Sequence, residues 1–214
     1  QGAFGGSISL KNNADWNNKS KFNFVQSYGS FHSHSESAQI CLSNKKFQSD
    51  TRLVNNYSKN DYTFINKFRK ETDTKTLENY YPLDTNKNAD YNIRGLLQEL
   101  YFRHKNLNIC GRFWYQSALR NIPLLNSDLR MDSNFKNVQN DKNMIGVVEM
   151  NYILKYANIS INSSVVNKRL LFYVSDSTFN GRESIIHSLS KMLTFTNQAE
   201  ISRNFENGLL FRAK

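Results

Sequence analysis

Residues with chemical capacity are few and widely spread along the chain. Four histidines occur, His32, His34, His104 and His187, and only His32-x-His34 has a spacing at which two imidazoles on one strand could share a metal ion. In a turn, with Glu36 as the nearest carboxylate, that pair is solvated and no metal site is expected. Cys41 and Cys110 have 68 residues between them, which is neither a metal-ligand nor a redox spacing. Two unpaired thiols are the default, with one disulfide open to them. There is no G-x-S-x-G, H-E-x-x-H, phosphate-loop or C-x-x-C pattern. The sequence therefore reads as a non-enzyme without a cofactor. What remains are charges, Arg52, Glu99, Arg103 and Arg112, set inside segments of alternating polarity.

Those charges need strands to position them, because the chain alternates with period two between turn residues and shows almost no helical patterning. Lys21–Gly29 and Ser35–Leu42 read as a hairpin, with Ala38, Ile40 and Leu42 on one face and Gln39 and Cys41 on the other. A polar turn at Ser43–Lys46 leads into Phe47–Tyr57. Asn92–His104 and Leu107–Ser117 form a second hairpin that sets Ile109, Phe113 and Tyr115 opposite Arg112 and Gln116. Met144–Tyr156 and Asn158–Tyr173 form a third, across a turn near Ala157-Asn158. In Glu183–Phe195 the two faces are not distinguished by polarity. Two long polar stretches, Ser58 to about Asp90 and Ala118 to about Asn143, interrupt the strands. The first is too long for an ordinary connection, so a functional or disordered excursion is expected.

The count is about eight strands of roughly 10 residues, with short turns at one end and long connections at the other. On alternation alone, a soluble all-β domain and a membrane β-barrel fit equally well. Composition narrows the choice little. With 28 basic against 18 acidic residues the net charge is +10, which admits a polyanion partner. The cations are scattered, however, and read as members of solvated loops and turns rather than a binding stripe. Mean hydropathy is -0.63, and no apolar run approaches the ~20 residues of a spanning helix.

Several segments, taken in order, resemble TonB-dependent receptors of bacterial outer membranes, in particular the vitamin B12 and siderophore receptor-like group of Bacteroidetes. Gly2-Ala3-Phe4-Gly5-Gly6-Ser7-Ile8-Ser9-Leu10 looks like the final strand of that family's plug, and Tyr28-Gly29-Ser30-Phe31 like its first barrel turn. Asp50-Thr51-Arg52-Leu53 with Ser58-Lys59-Asn60-Asp61-Tyr62 resembles the third strand entering an extracellular loop. Gly95–His104, Gly111–Gln116 and Arg120-Asn121-Ile122-Pro123 are similar to later strands.

The resemblance implies an all-β fold, an antiparallel transmembrane β-barrel of which this chain holds about eight strands of a larger whole. Residues 1–14 would end the plug and 15–214 would begin the barrel, so the chain reads as cut from something longer. It further implies an outer-membrane transporter that imports a cobalamin or an iron-siderophore chelate. Its partners would be the TonB–ExbB–ExbD complex, outer-membrane lipid and a surface lipoprotein, with no nucleic acid. Tyr62, Tyr80 and Tyr81 would be ligand contacts in extracellular loops, and Arg52, Glu99, Arg103 and Arg112 would line the lumen. The alternatives are a soluble basic β-domain that binds polyanions and a non-functional remnant of a receptor gene.

Overall fold

Alternating side chains produce strands and nothing else here. The computed structural model describes residues 14–17, 19–123, 136–178, 181–204 and 210–213, and contains no helix among them. The Gly2–Leu10 segment lies outside the described residues, as does nearly all of the expected plug end. One antiparallel sheet carries, in spatial order, β1 (Ser20–Gly29), β2 (Ser33–Ser43), β3 (Phe47–Ser58), β8 (Tyr91–His104), β9 (Leu107–Asn121), β10 (Lys136–Ile153), β11 (Asn158–Thr178), β12 (Gly181–Asn204) and a short β13 (Leu210–Ala213). The sheet is open, with β1 and β13 as its edges. The expected eight strands are thus present, with a four-residue ninth.

The strands differ from expectation mainly in length. β9 continues to Asn121 and β10 already begins at Lys136, so much of the stretch from Ala118 to Asn143 is ladder rather than loop. Its Asn, Asp and Lys side chains hid this, since pairing is carried by backbone groups and a strand with one polar face tolerates such residues. β12 reaches 24 residues.

The first long stretch, Ser58–Asp90, is also built. Its strands β4 (Thr63–Ile65) and β7 (Leu83–Thr85) pair, and inside them β5 (Glu71–Thr72) pairs with β6 (Asn79–Tyr80), giving a nested hairpin arm. Buried Asn66 braces the segment just inside the outer ladder: its amide nitrogen donates to Asp84 Oδ2 at 2.8 Å, its backbone N–H to the Pro82 carbonyl at 2.9 Å, and its side-chain oxygen accepts from Phe68 N at 3.0 Å. At the arm's base, Asn88 Nδ2 donates to the carbonyl of Ile122 at 2.7 Å, and Asn121 Nδ2 donates to Asp90 Oδ1 at 2.7 Å.

Register sorts the side chains into two sets. Ile40, Thr51, Gln98, Phe113, Gly146, Val165 and Phe195 face one way; Gln39, Arg52, Leu97, Trp114, Ile145, Val166 and Thr194 face the other. Ala38, Ile40, Leu42, Ile109, Phe113 and Tyr115 fall together, opposite Gln39, Arg52, Arg112 and Gln116, as the alternation required. The undistinguished strand is settled by its partner, since Val165 pairs with Phe195 and so places Leu189, Lys191 and Leu193 on the apolar face. Following the chain direction, both long connections lie at one end of the sheet. The turns at 44–46, 105–106 and 154–157 lie at the other.

Candidate functional site

Two features concentrate polar chemistry: a charged row on the polar face and the arm at the long-connection end. The row follows from register, which sets Cys41, Asp50, Glu99 and Arg112 side by side across β2, β3, β8 and β9, with Gln48, Tyr101, Cys110 and Glu149 next to them. Glu99 is at its centre and only 1% exposed. Its carboxylate accepts from Tyr101 Oη at 3.0 Å and from Arg112 Nε at 3.2 Å, and lies 3.5 Å from Arg52 Nη2. Arg52 also reaches Asp50 at 2.7 Å, Arg112 reaches Glu149 at 2.9 Å, and Gln39 donates to both oxygens of Asp50. Three carboxylates and two guanidiniums thus form one continuous network on the sheet. Gln48 Oε1 and Arg52 Nε are buried within it without a partner among the described residues.

Of the four residues expected to line one polar surface, Arg52, Glu99 and Arg112 are joined. Arg103 shares their face but stands apart: its guanidinium lies 4.2 Å over the Trp16 ring and its Nε donates to the Lys45 carbonyl at 3.0 Å. Ala14 and Trp16 border a cavity of about 270 Å³ with Tyr101, Cys110, Arg112 and Glu149. The chain therefore enters β1 from the polar side. One step along the strands, Leu97, Trp114, Ile145 and Val166 form an apolar island on this face, with Trp114 still 48% exposed. Asp50 and Glu149 were not singled out from the sequence, because only the strand register brings them beside Glu99.

The arm holds the three tyrosines in two places. Tyr62 sits at its base, edge-on to Phe31 at 5.8 Å and tilted against Phe64 at 6.2 Å. Tyr80 lies in the inner ladder, and Tyr81 just after it is half exposed. Phe31 and His32 both have positive φ, 59° and 52°, the combination a primed hairpin turn needs but non-glycine residues resist. The strained turn is tied to the arm's root: Ser58 Oγ donates to the Phe31 carbonyl at 3.1 Å, and His32 Nδ1 lies 3.0 Å from Asp61. This hydrogen bond holds the Asp61 carboxyl below its ordinary value. The two closely spaced histidines do not converge, since His34 packs on the Tyr57 ring at 5.0 Å. No group of three metal-competent side chains occurs among the described residues, and both cysteines are free.

Tyr80 Oη donates to Glu71 Oε2 at 2.8 Å, and Arg69 reaches Oε1 at 2.6 Å. The tyrosine's bond, and then Arg69, hold the Glu71 carboxyl below its ordinary 4.5, while Glu71 pushes the Tyr80 phenol above 10.0. A depressed carboxylate stabilises the fold above its unfolded value and loses that effect as pH falls through the folded one; a raised phenol stabilises below its unfolded value and loses that as pH rises. The arm tip should hence be tightest between about 4.5 and 10. Amide protection at Glu71–Tyr80, taken relative to the intrinsic exchange rate at each pH, should fall on acidification below that window, and Glu71→Gln should remove the acid limb. An unchanged acid limb in Glu71→Gln would contradict this assignment.

No family model matches the chain, and no curated protein matches it.

Proposed function

We propose that the chain is part of an outer-membrane active transporter of the TonB-dependent type, which imports a scarce ligand such as cobalamin or an iron-siderophore chelate. One observation carries this reading: an antiparallel sheet of eight long strands and a short ninth, with an uncovered apolar face and a polar, charged opposite face. Phe22, Leu193 and Phe195 are 71%, 59% and 68% exposed, far more contiguous apolar surface than a water-facing sheet tolerates. From Leu107 to Tyr115 the apolar band runs about 27 Å along the strand, which a barrel tilt of about 40° foreshortens to about 21 Å, close to the ~25 Å band of outer-membrane barrels.

In this reading the long connections are extracellular, the short turns periplasmic, and β1 and β13 pair with further strands, because unpaired backbone in lipid is costly at every group. Arg52, Glu99, Arg103 and Arg112 line the lumen. Trp16 on Arg103, the two partnerless polar atoms and the apolar island support a plug packed on this face, of which residues 1–14 would be the end. The TonB–ExbB–ExbD complex supplies the energy that moves that plug once ligand has bound. Tyr62, Tyr80 and Tyr81 lie at the end where ligand arrives, and aromatic faces there can stack on a large chelate. Replacing all three with Ala in a full-length receptor should weaken ligand binding; unchanged affinity would remove them from the site.

The reading as a whole is tested by phase separation in a cloud-point detergent. The chain is expected in the detergent phase at both low and high salt. Recovery in the aqueous phase as a folded monomer would sink the proposal and favour a soluble domain.

A further inference from the structure

The arm is braced within itself and narrowly joined to the sheet. Asn66 on Asp84 stiffens the outer ladder, and Arg69 with Tyr80 on Glu71 stiffens the inner one. Across the root, Asn86 closes the two sides: its backbone N–H donates to the Tyr62 carbonyl at 2.9 Å and its Nδ2 to the Asn60 carbonyl at 3.0 Å. Among the described residues, none of the four short strands lies against a strand of the main sheet. The arm therefore stands off the long-connection end as one body.

Its two joints have the same form. Asn60 follows β3 and Asn88 precedes β8, and both have positive φ, 51° and 56°. Apart from glycine, asparagine and aspartate enter that region most readily, and residues at the ends of elements are where rigid units turn. On the β8 side the joint itself is anchored, because Asn88 Nδ2 donates to the Ile122 and Asn137 carbonyls. On the β3 side the 30–33 turn reaches past the joint, through His32 to Asp61 and through Phe31 to Tyr62. Ser58, before the joint, fixes that turn to β3: its Oγ accepts from Ser33 Oγ at 2.7 Å and donates to the Phe31 carbonyl. Glycine at position 31 or 32 would form the turn with less strain. What Phe31 and His32 add is their side chains, and both of these grip the arm beyond its joint.

We propose that the 30–33 turn is a latch on a hinged arm: Phe31 and His32 hold Tyr62 and Asp61, and release of that hold lets residues 61–87 swing as one body about Asn60 and Asn88. The latch does not depend on the transport reading. Its use does rest on that reading: a swing carries Tyr62, Tyr80 and Tyr81 together, and a ligand that takes the place of Phe31 on the Tyr62 ring opens the latch.

The test uses the 214-residue chain in neutral detergent micelles, with Cys41 and Cys110 replaced by Ser and nitroxides at Ser27 in β1 and Lys75 at the arm tip, both exposed. Double electron–electron resonance reads the distance between them. The parent chain is expected to give one narrow distance. F31G, which removes the ring and eases the turn, should add a second, displaced maximum, and F31G/D61A should make that maximum dominant. D61A alone leaves the turn's own residues untouched and should broaden the distribution toward the same maximum. F68A removes an arm ring that is 74% exposed and outside the latch, and should keep the parent distribution. Circular dichroism confirms the sheet in each variant. A distribution in D61A and F31G/D61A that matches the parent's, or one in F68A as broad as in F31G, would overturn the proposal. Detergent partition tests the transport reading on its own, so each can fail without the other.

Discussion

Replacing Glu99 with Ala is expected to be among the most destabilising single changes in the chain. Its carboxylate is 1% exposed and is the acceptor shared by Tyr101 and Arg112, with Arg52 close by. Removal leaves two guanidiniums facing each other across a cavity, and loss of one partner from a buried charge network typically costs about 3–5 kcal/mol. The Arg52 and Arg112 side chains keep 36% and 25% of their exposure, so water screens part of the repulsion and about 2–4 kcal/mol is the better expectation. Glu99→Gln retains an acceptor for Tyr101 and should lose less. Glu36→Ala, on the exposed apolar face, should cost under about 1 kcal/mol. Urea unfolding in micelles, followed by tryptophan fluorescence, measures all three. A Glu99→Ala loss no larger than that of Glu36→Ala would mean that the row contributes little to stability.

Much of this row could be read in advance, and the reason is local. Gly111–Gln116 alternates strictly, so Arg112 had to oppose Phe113, and the two-residue turn at Lys105-Asn106 brings Arg112 across from Glu99. Asp50 and Glu149 are separated from Glu99 by 49 and 50 residues, and nothing in their own segments marks them. A row of cations on the apolar face, Arg94, Lys142, Arg169 and Lys191, aligned through Ser117, was hidden for the same reason. Lys168 and Arg169 are adjacent in sequence but lie on opposite faces, Lys168 pairing with Met192 and Arg169 with Lys191. A stripe built from one residue per strand cannot appear as a run of charges. The arm was legible only as an anomaly of length. Its order comes from single asparagines, Asn66 and Asn88, whose bonds cross between distant segments, and single asparagines carry no periodic signal.

Introducing Arg at Val148 is expected to have an effect of comparable size that depends wholly on solvent. Val148 pairs with Gly111 and Ser163 near the middle of the apolar band and is 53% exposed. In water, such a surface substitution would change stability by no more than about 0.5 kcal/mol. Facing hydrocarbon near the bilayer midplane, the guanidinium should cost about 2–4 kcal/mol. Asn151→Arg, on the polar face of the same strand, should be close to neutral in both settings. Equilibrium unfolding from lipid vesicles gives the comparison, and a Val148→Arg loss indistinguishable from that of Asn151→Arg would remove lipid from the apolar face.

The orientation of the sheet is the claim on which the other readings stand, and β9 allows it to be measured residue by residue. With Cys41 and Cys110 replaced by Ser, a nitroxide is placed in turn at each position from Leu107 to Gln116 in the vesicle-bound chain, and its accessibility to oxygen and to a water-soluble nickel chelate is recorded. The expected result is a period of two. Positions 107, 109, 111, 113 and 115 should be accessible to oxygen and shielded from nickel, while 108, 110, 112, 114 and 116 should be shielded from oxygen by comparison. Nickel accessibility at Phe113 and Tyr115 equal to that of the even positions, or no alternation along the strand, would contradict a lipid-facing apolar surface.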